Sequence, residues 1–482
     1  MRLQSGVALK STLKKHTVGI DKSVAPSLTI GHVKQRLEEI DLDLVREIVR
    51  VDQGRLDIPV YVCRVGSDCN IPSPRTMGKG PSPEQSEASA LMEMVERFSH
   101  ANFPRPETHM RGTYGHMEGR TIPFADFFRI PDSKAVSPEE NLEEFASLPF
   151  AWVPAYSLVR QADFLVPYEW FADIQGTNGL SAGNTLEETI LQGLCEVLER
   201  HVCAVVNTTR RRVPTIDPAT VKDPVARDLV QKLHRNRIRF MCKDFTLDTG
   251  IPTVACIALD PASFPKSEIV YCAGTATHPE KALIRALTEV QQMAVDTFTQ
   301  DYYAGGLLPK LTYWQEAEFL FDGDEPVPID SLPDVSSDDL LEEIQNCTNA
   351  LTGGGFEPLV INITHPALGI PAVFVLMAGS QLYDMSLSGL NSTYFLGRRL
   401  RFIGRLEDAT ERFRLAMEQQ PDSNLHCSME IAACLRQMGQ WEQAVEVYRE
   451  AYFCKPDRLQ QSQILHWLAV CTERLKEAAS QE

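Results

Sequence analysis

One nine-residue pattern recurs along this chain and limits what it can fold into. Ser89-Ala-Leu-Met-Glu93-Met-Val-Glu96-Arg97 returns as Gln192-Gly-Leu-Cys-Glu196-Val-Leu-Glu199-Arg200 with the same offsets. A third stretch, Arg285-Ala-Leu-Thr-Glu289-Val-Gln-Gln292, keeps the i, i+4, i+7 spacing with different residues. On a helix, positions 89, 93, 96 and 97 share one face, while Leu91, Met92, Val95 and Phe98 lie mostly elsewhere. Each polar stripe therefore rides on a helix that is otherwise substantially apolar. Three acidic stripes on half-buried helices need something positive to face.

Each helix is preceded by a glycine-bearing loop and by Ser/Thr-x-x-Glu/Gln, the capping box that satisfies free N–H groups at a helix start. The boxes run from Ser82 to Gln85, Thr185 to Glu188 and Thr277 to Glu280. From the first two caps the stripe begins seven residues on and its arginine lies fifteen on; the third stripe is one residue out of that register. The first two helices are thus structural equivalents. Taken singly, Glu93 with Arg97 and Glu196 with Arg200 are i, i+4 pairs of the kind that decorate solvated helices for about 0.2–0.5 kcal/mol. The recurrence, the matching loops and the apolar neighbours Cys195, Val197, Leu198, Ala282, Leu283 and Leu287 argue instead for packed helices. Carboxylates converging in a packed setting raise each other's pKa unless a cation intervenes. Magnesium, which takes oxygen ligands and bridges carboxylates to phosphates, suits them. The pattern therefore reads as a shared bed for magnesium and a nucleotide. The interleaved arginines either orient the carboxylates or grip phosphate oxygens. Glu188 is equally suited to closing the box with Thr185, and Asn184 either presents to phosphate or makes the turn.

Three other segments also repeat. Arg50 to Cys63, Cys242 to Ile257 and Ile361 to Leu376 each read as strand, turn, "Ile-Pro", strand, with Pro59, Pro252 and Pro371 opening β-branched runs. Proline fits the first residue of a strand, where its missing N–H costs least. The fold class expected is α/β, with a sheet assembled from repeated strand-pair and helix units over residues 1–385. A short helix is expected over Ile30–Glu39 and a surface excursion at 310–340. After residue 385 strands disappear, and two helical hairpins repeat at an offset of 35: Gly404/Gly439, Ala409/Ala444, Phe413/Tyr448, Ala416/Ala451 and Pro421/Pro456. Residues 386–482 therefore read as a small all-α domain resembling tetratricopeptide repeats.

Composition narrows the class. Acidic residues exceed basic ones, 65 against 47, a poor balance for gripping a nucleic-acid backbone. Twelve cysteines without a CxxC pair read as reduced thiols of a cytoplasmic protein. No secretory signal is visible, and the longest apolar run, around Ile370 to Gly379, is too short to span a membrane. There is no Walker sequence, no HExxH and no nucleophile elbow, and His201 reads as structural.

At these residues the sequence resembles the YcaO family of ATP-dependent enzymes that modify peptide backbones. The resemblance rests on Gly78-Lys-Gly80, the three stripes, and Thr177-Asn-Gly-Leu-Ser-Ala-Gly-Asn-Thr185, and covers residues 20 to 385 or so. It implies a YcaO-type fold with ATP and Mg2+ as cofactors. It implies Glu93, Glu96, Glu188, Glu196, Glu199 and Glu289 around the metal. Ser89, Arg97, Asn184, Arg200, Arg285 and Gln292 would contact the nucleotide, with Lys22 and Thr29 on the phosphate side. Turnover is expected to depend on Glu93, Glu199 and Arg200. In the family a nucleophile attacks a peptide carbonyl, ATP phosphorylates the amide oxygen, and loss of phosphate leaves an azoline, thioamide or amidine. Such chemistry asks for positioning and charge neutralisation rather than a nucleophilic side chain. Azoline-forming members end in Pro-x-Pro-x-Pro, whereas this sequence ends Lys476-Glu-Ala-Ala-Ser-Gln-Glu482. That favours thioamide chemistry, or the accessory role in ribosomal-protein methylthiolation ascribed to some members. The expected partners are a peptide or protein substrate, a protein recruited by the helical repeats, and a second copy in a homodimer, with neither nucleic acid nor membrane. The rivals are a non-catalytic adaptor working through the repeats and a different ATP-dependent ligase on the same bed.

Overall fold

In the structure, a computed structural model, each Ile-Pro segment folds as the antiparallel strand pair that its pattern predicts. Residues 4–479 are described, apart from 41–42, 53–54, 67–70, 72, 104–108, 128–137, 264–268, 296–307, 309–310, 312–313, 322–324, 382–389 and 457. Pro59, Pro252 and Pro371 each stand one residue before a strand. Numbered along the chain, β1 (Val45–Arg50), β2 (Val60–Val65) and β3 (Arg75–Lys79) form one antiparallel sheet. Next come β4 (Met110–Gly112), β5 (Phe150–Ser157), β6 (Ala162–Pro167) and β7 (Leu180–Ala182). A five-stranded sheet follows from β8 (Thr215–Asp217), β9 (Arg239–Asp244), β10 (Thr253–Leu259), β11 (Ile269–Thr275) and β12 (Val327–Pro328), in the order β11-β10-β9-β8-β12. Finally β13 (Glu357–Asn362) and β14 (Ala372–Ala378) complete a sheet of order β4-β5-β13-β14-β7, with β6 also paired to β5.

The three hairpins therefore lie in three sheets, not in the single sheet expected. Their neighbours are supplied from far along the chain, as where Leu359 of β13 pairs with Ser157 of β5. A local pattern carries no trace of such pairing.

The chain divides into two units: residues 1–111, 120–122 and 151–385 make one, and residues 112–119, 123–150 and 386–482 the other. In the first unit, the stripe helices are Pro83–Ala101, Leu186–Thr209 and Pro279–Val295. The second is wedged between sheets. Its Ile190, Leu194 and Val197 pack with Val373, Val375 and Met377 of β14, while Val202, Cys203 and Val206 pack with Ala255 and Ile257 of β10. The other face of β10, with Val254, Cys256 and Ala258, packs with Ala282, Leu283 and Leu287 of the third helix. Each fully buried aliphatic side chain of this kind contributes about 1.5–3 kcal/mol, so helix positions here are fixed by the core rather than by propensity. The first helix lies on the three-stranded sheet, and Gly78 makes the approach possible. A Cβ there would stand 2.1 Å from Ala90 N and from Ser86 O.

Two local expectations change. The helix expected from Ile30 starts at Pro26, because proline at the first helical position lacks only an N–H that would be orphaned anyway. The 310–340 stretch is not a plain surface excursion: Ala317, Leu320, Ile329 and Leu332 are buried in the cores. In the second unit, helical hairpins repeat as expected. Ala409, Ala444, Ala416 and Ala451 are fully buried where helices cross, and Phe413 and Tyr448 fill the same position in successive hairpins. Gly404 and Gly439 take φ of 83° and 74°, a left-handed conformation that glycine adopts without strain. Residues from 123–150 belong with these helices: Arg412 pairs with Glu144 at 2.8 Å and Asn141 Nδ2 donates to Ser392 Oγ at 2.7 Å. Among the described residues no helix is long and apolar enough to cross a membrane. The eleven described cysteines are all free thiols, ten of them buried.

Candidate active site

Local capping sets where each stripe begins. Ser82 Oγ accepts from the Gln85 N–H and Thr185 Oγ1 from the Glu188 N–H, as their sequences predict. The third helix differs. The Thr277 hydroxyl donates to Glu343 instead, and His278 Nδ1 accepts the Glu280 N–H. The cap is therefore His278, one residue later than expected. Counted from it, Arg285 is seven on, as Ser89 is from Ser82 and Gln192 from Thr185. The third stripe is in register after all.

Burial follows the stripes. Between Glu187 and Glu199 only Gln192 and Glu196 are not buried, and on the third helix from Ala282 to Val290 only Arg285 and Glu289 are not. These are packed helices, not solvated ones. On the first helix Met92 turns out to share the stripe's side, lining the cavity with Ser89 and Glu93.

The three stripes converge on one cavity of about 370 Å³, within the ~300–1,000 Å³ range of small-molecule sites. All fourteen sequence-predicted site residues line it: Ser89, Glu93, Glu96 and Arg97; Asn184, Glu188, Glu196, Glu199 and Arg200; Arg285, Glu289 and Gln292; and Lys22 with Thr29. The first two stripes repeat one geometry. Arg97 reaches Glu93 at 3.2 Å and Glu96 at 3.5 Å, and Arg200 reaches Glu196 at 3.4 Å and Glu199 at 3.2 Å. One glutamate of each set is also tied to a strand that ends a sheet: Glu93 accepts from the Met77 N–H of β3 and Glu199 from the Thr275 N–H of β11, both at 2.9 Å. Arg285 donates to Gln192 at 2.9 Å, joining third stripe to second.

Not every charge is satisfied. Arg97 Nη1, Arg200 Nε and Arg285 Nε are buried without a hydrogen-bond partner. Burial pushes the Glu96 carboxyl well above its ordinary pKa; Arg97 opposes the shift, while Glu196 and Glu93 add to it. Glu196 is raised in the same way by burial, against Arg200 and Arg97. Spare guanidinium donors call for an anion, and carboxyls whose charged form is penalised by burial call for a cation. A metal-bound polyphosphate supplies both. Among the described residues no group of three carboxylate, cysteine or histidine side chains is arranged to hold a metal ion unaided. Magnesium commonly takes one or two carboxylates and completes its octahedron with phosphate oxygens and water, so these residues fit it.

Glu188 is committed elsewhere. Its carboxylate accepts from Ser23 N and Oγ at 2.8 and 2.7 Å and from Asn184 Nδ2 at 2.9 Å, with Lys22 Nζ at 3.4 Å. It does not close a capping box onto Thr185, and these contacts hold it ionised despite its burial. Thr29 Oγ1 donates to Asn184 Oδ1 at 2.8 Å. Lys22 and Ser23 belong to an N-terminal strap pinned by carboxylates: Lys10 N–H and Thr12 on Glu187, Thr12 on Asp339, and Lys14 on Asp21 and Glu343. Polar residues before position 26 gave no such signal in sequence, because these contacts are long-range and carried by single side chains.

Sequence reasoning also missed Asp21, Lys79, Lys281 and Glu343, which line the same cavity. Lys79 alone left a trace, as the middle of Gly78-Lys-Gly80. Its ammonium is drawn two ways: burial, helped by Arg285, lowers it to about 8, while Glu199 favours the charged form; the side chain is also ion-paired with Glu289. Cys195 lines the cavity too, but burial raises its thiol to about 12, so it is no thiolate. His201 is structural: its Nδ1 accepts the Gln381 N–H at 2.8 Å and its ring stands edge-on to Phe356.

A cavity walled by carboxylates and by guanidinium groups with donors to spare defines a site for a polyanion with its metal, built without a phosphate loop. A family model described as YcaO cyclodehydratase, ATP- and Mg2+-binding, matches residues 77–381. The chain belongs to the YcaO family of ATP-dependent peptide-backbone-modifying enzymes, and its cofactors are ATP and Mg2+. A protein of Methanothermobacter thermautotrophicus is 26% identical over 397 residues, 79% of this chain and 98% of its own. The ribosomal protein S12 methylthiotransferase accessory factor YcaO of Escherichia coli is 27% identical over 250 residues, 45% of this chain and 40% of its own. Among solved structures, YcaO from Methanopyrus kandleri bound with AMPPCP and Mg2+ matches with a TM-score of 0.58 and 24% identity, over 78% of this chain and 97% of that one. A heterocyclase in complex with substrate and cofactor matches with a TM-score of 0.65 and 24% identity. That match covers 78% of this chain and spans only 54% of the heterocyclase. Both structures share the fold.

Proposed function

We propose that this chain activates a backbone amide of a peptide or protein by phosphorylating the amide oxygen, with an external sulfur nucleophile and a thioamide as product. The observation that carries the reading is the convergence of three identically registered helices on one cavity. There burial raises the Glu96 and Glu196 carboxyls in spite of Arg97 and Arg200 beside them, while Arg97, Arg200 and Arg285 keep free donors. ATP would bring the phosphoryl group and Mg2+ would neutralise its phosphates. The chain's own part is placement. Glu93 and Glu199, anchored on backbone N–H groups, set the rigid walls; Glu96, Glu196 and Glu289 offer oxygens to the metal; the arginines, with Ser89, Asn184, Gln292, Lys22 and Thr29, hold the nucleotide. Preorganised charge of this kind lowers a phosphoryl-transfer barrier without covalent help from the protein. Cys195, held as a thiol, is no nucleophile, which supports a nucleophile from outside the chain. The hairpins of the second unit, with tetratricopeptide-like placement of small and aromatic residues, would recruit the substrate or a partner protein.

Intact-mass comparison of candidate protein substrates from cells with and without this chain tests the product. A gain equal to sulfur replacing oxygen supports the thioamide, and loss of water marks an azoline. Unmodified backbones with altered methylthiolation of a ribosomal protein mark an accessory role. Absence of any magnesium-dependent ATP binding by the purified chain would turn the reading over to an adaptor.

A further inference from the structure

Between the two glycines of Gly78-Lys79-Gly80 stands a cation to which the reading above gives no task. β3 alternates, with Thr76 and Gly78 turned to the first stripe helix and Met77 and Lys79 lining the cavity. Both glycines are required by close approach: a Cβ at Gly80 would lie 2.8 Å from Gln85 Cβ, adding to the contact at Gly78. The backbone is thus clamped on either side of Lys79. Its ammonium crosses to the third helix and pairs with Glu289, in the field of Arg285, Arg200 and Glu199. Both partners keep about a quarter of their side-chain surface exposed, at 24% and 23%. An ammonium set among guanidinium groups stays there only while an anion holds it. When the carboxylate is taken by another cation, the nearest replacement is a phosphate.

We propose that Lys79 is a phosphate-binding group of this site, parked on Glu289 until a metal ion takes that carboxylate; the assignment rests on the ATP–magnesium reading. Lysine and metal compete for Glu289, and the displaced ammonium turns to the phosphate chain beside Arg285. A plain structural ion pair would show neither competition nor phosphate contact.

Titration calorimetry of the full chain with a β,γ-methylene ATP analogue, across a series of magnesium concentrations, tests this. A hydrogen bond to a charged group is worth about 1.5–3 kcal/mol, so Lys79→Met should weaken the analogue by about tenfold or more at saturating magnesium. The same variant should lower the magnesium needed for half-maximal binding, because Glu289 no longer has a resident cation. Lys79→Arg should stay close to wild type in affinity. An analogue affinity unchanged in Lys79→Met, or a magnesium requirement that rises, overturns the proposal. Where Lys79→Met does not fold, Glu289→Gln carries the test: it releases the ammonium, so metal-free analogue binding should rise more than in Glu196→Gln, which removes a carboxylate not paired to Lys79. An equal or smaller rise refutes the assignment. A wild-type chain that binds no analogue with magnesium present refutes the ATP reading itself, a separate failure.

Discussion

Glu96→Gln should stabilise the metal-free protein while weakening its ligand-bound form. Glu96 is half-buried on the first stripe helix with its pKa raised, and Glu196, facing it from the second helix, is raised too. A carboxyl raised in the folded state holds a proton that the unfolded chain has already released. The native state then binds more protons, and stability falls as pH climbs from the ordinary carboxylate range toward the folded value. Below that window both states are protonated and the effect vanishes. Within it each extra proton is worth about 1.4 kcal/mol per pH unit, so the pair contributes at most about twice that slope. Glutamine does not titrate. The variant should lose up to half the slope and, at pH 8 without metal, be the more stable protein. Ligand reverses the order. At a hundredfold excess over Kd, magnesium and a non-hydrolysable analogue stabilise the wild type by about 2.7 kcal/mol, and a variant lacking one metal oxygen gains less. Urea unfolding from pH 5 to 8, in chelator and then in magnesium plus analogue, reads both arms. Equal pH slopes, or a variant less stable than wild type at pH 8 in chelator, would refute the reasoning.

Three further outcomes follow from the geometry. Glu199→Ala should abolish ATP turnover and cost about 1–3 kcal/mol in urea unfolding, because the Thr275 N–H loses its acceptor; Glu199→Gln keeps an acceptor and should lose turnover alone. Gly78→Ala should cost about 1–3 kcal/mol or more, since its Cβ would meet backbone at 2.1 Å, whereas Gly31→Ala, with nothing within 4 Å in a helix interior, should add about 0.5–1 kcal/mol. Thr185→Ala should cost about 1 kcal/mol of thermal or urea stability through the lost cap on the Glu188 N–H.

Much of the site was legible because it is written at helical spacing. Residues four and seven apart share a face whatever surrounds them, so Glu93, Glu196 and Glu289 could be aligned before any contact was known. The strand pairs were legible for a related reason, a proline whose missing N–H costs little just ahead of a β-branched run. What sequence missed depends on distance along the chain. No local pattern says that β5 pairs with β13, that residues 123–150 belong with helices beyond 386, or that Ser23 caps the Glu188 carboxylate. The third register was misjudged by one residue for a different reason. Thr277 is the better capping residue by type, but the buried Glu343 claims its hydroxyl, leaving the helix start to His278. Tertiary demand overrode local preference there.

The edge strand β3 has a consequence for association. Among the described residues it ends its sheet at the cavity, and an unpaired strand edge is a template on which another chain can add. Here the Met77 N–H is taken by Glu93, so a carboxylate that lines the cavity also occupies a place where a foreign strand would dock. Alanine at Glu93 uncovers that stretch of rim as it silences the site, and the expected product is a protein both inactive and prone to self-association. Glu199 differs: β11 is buried along nearly its whole length and Thr275 fully so, and the N–H freed there becomes an interior orphan, not a docking edge.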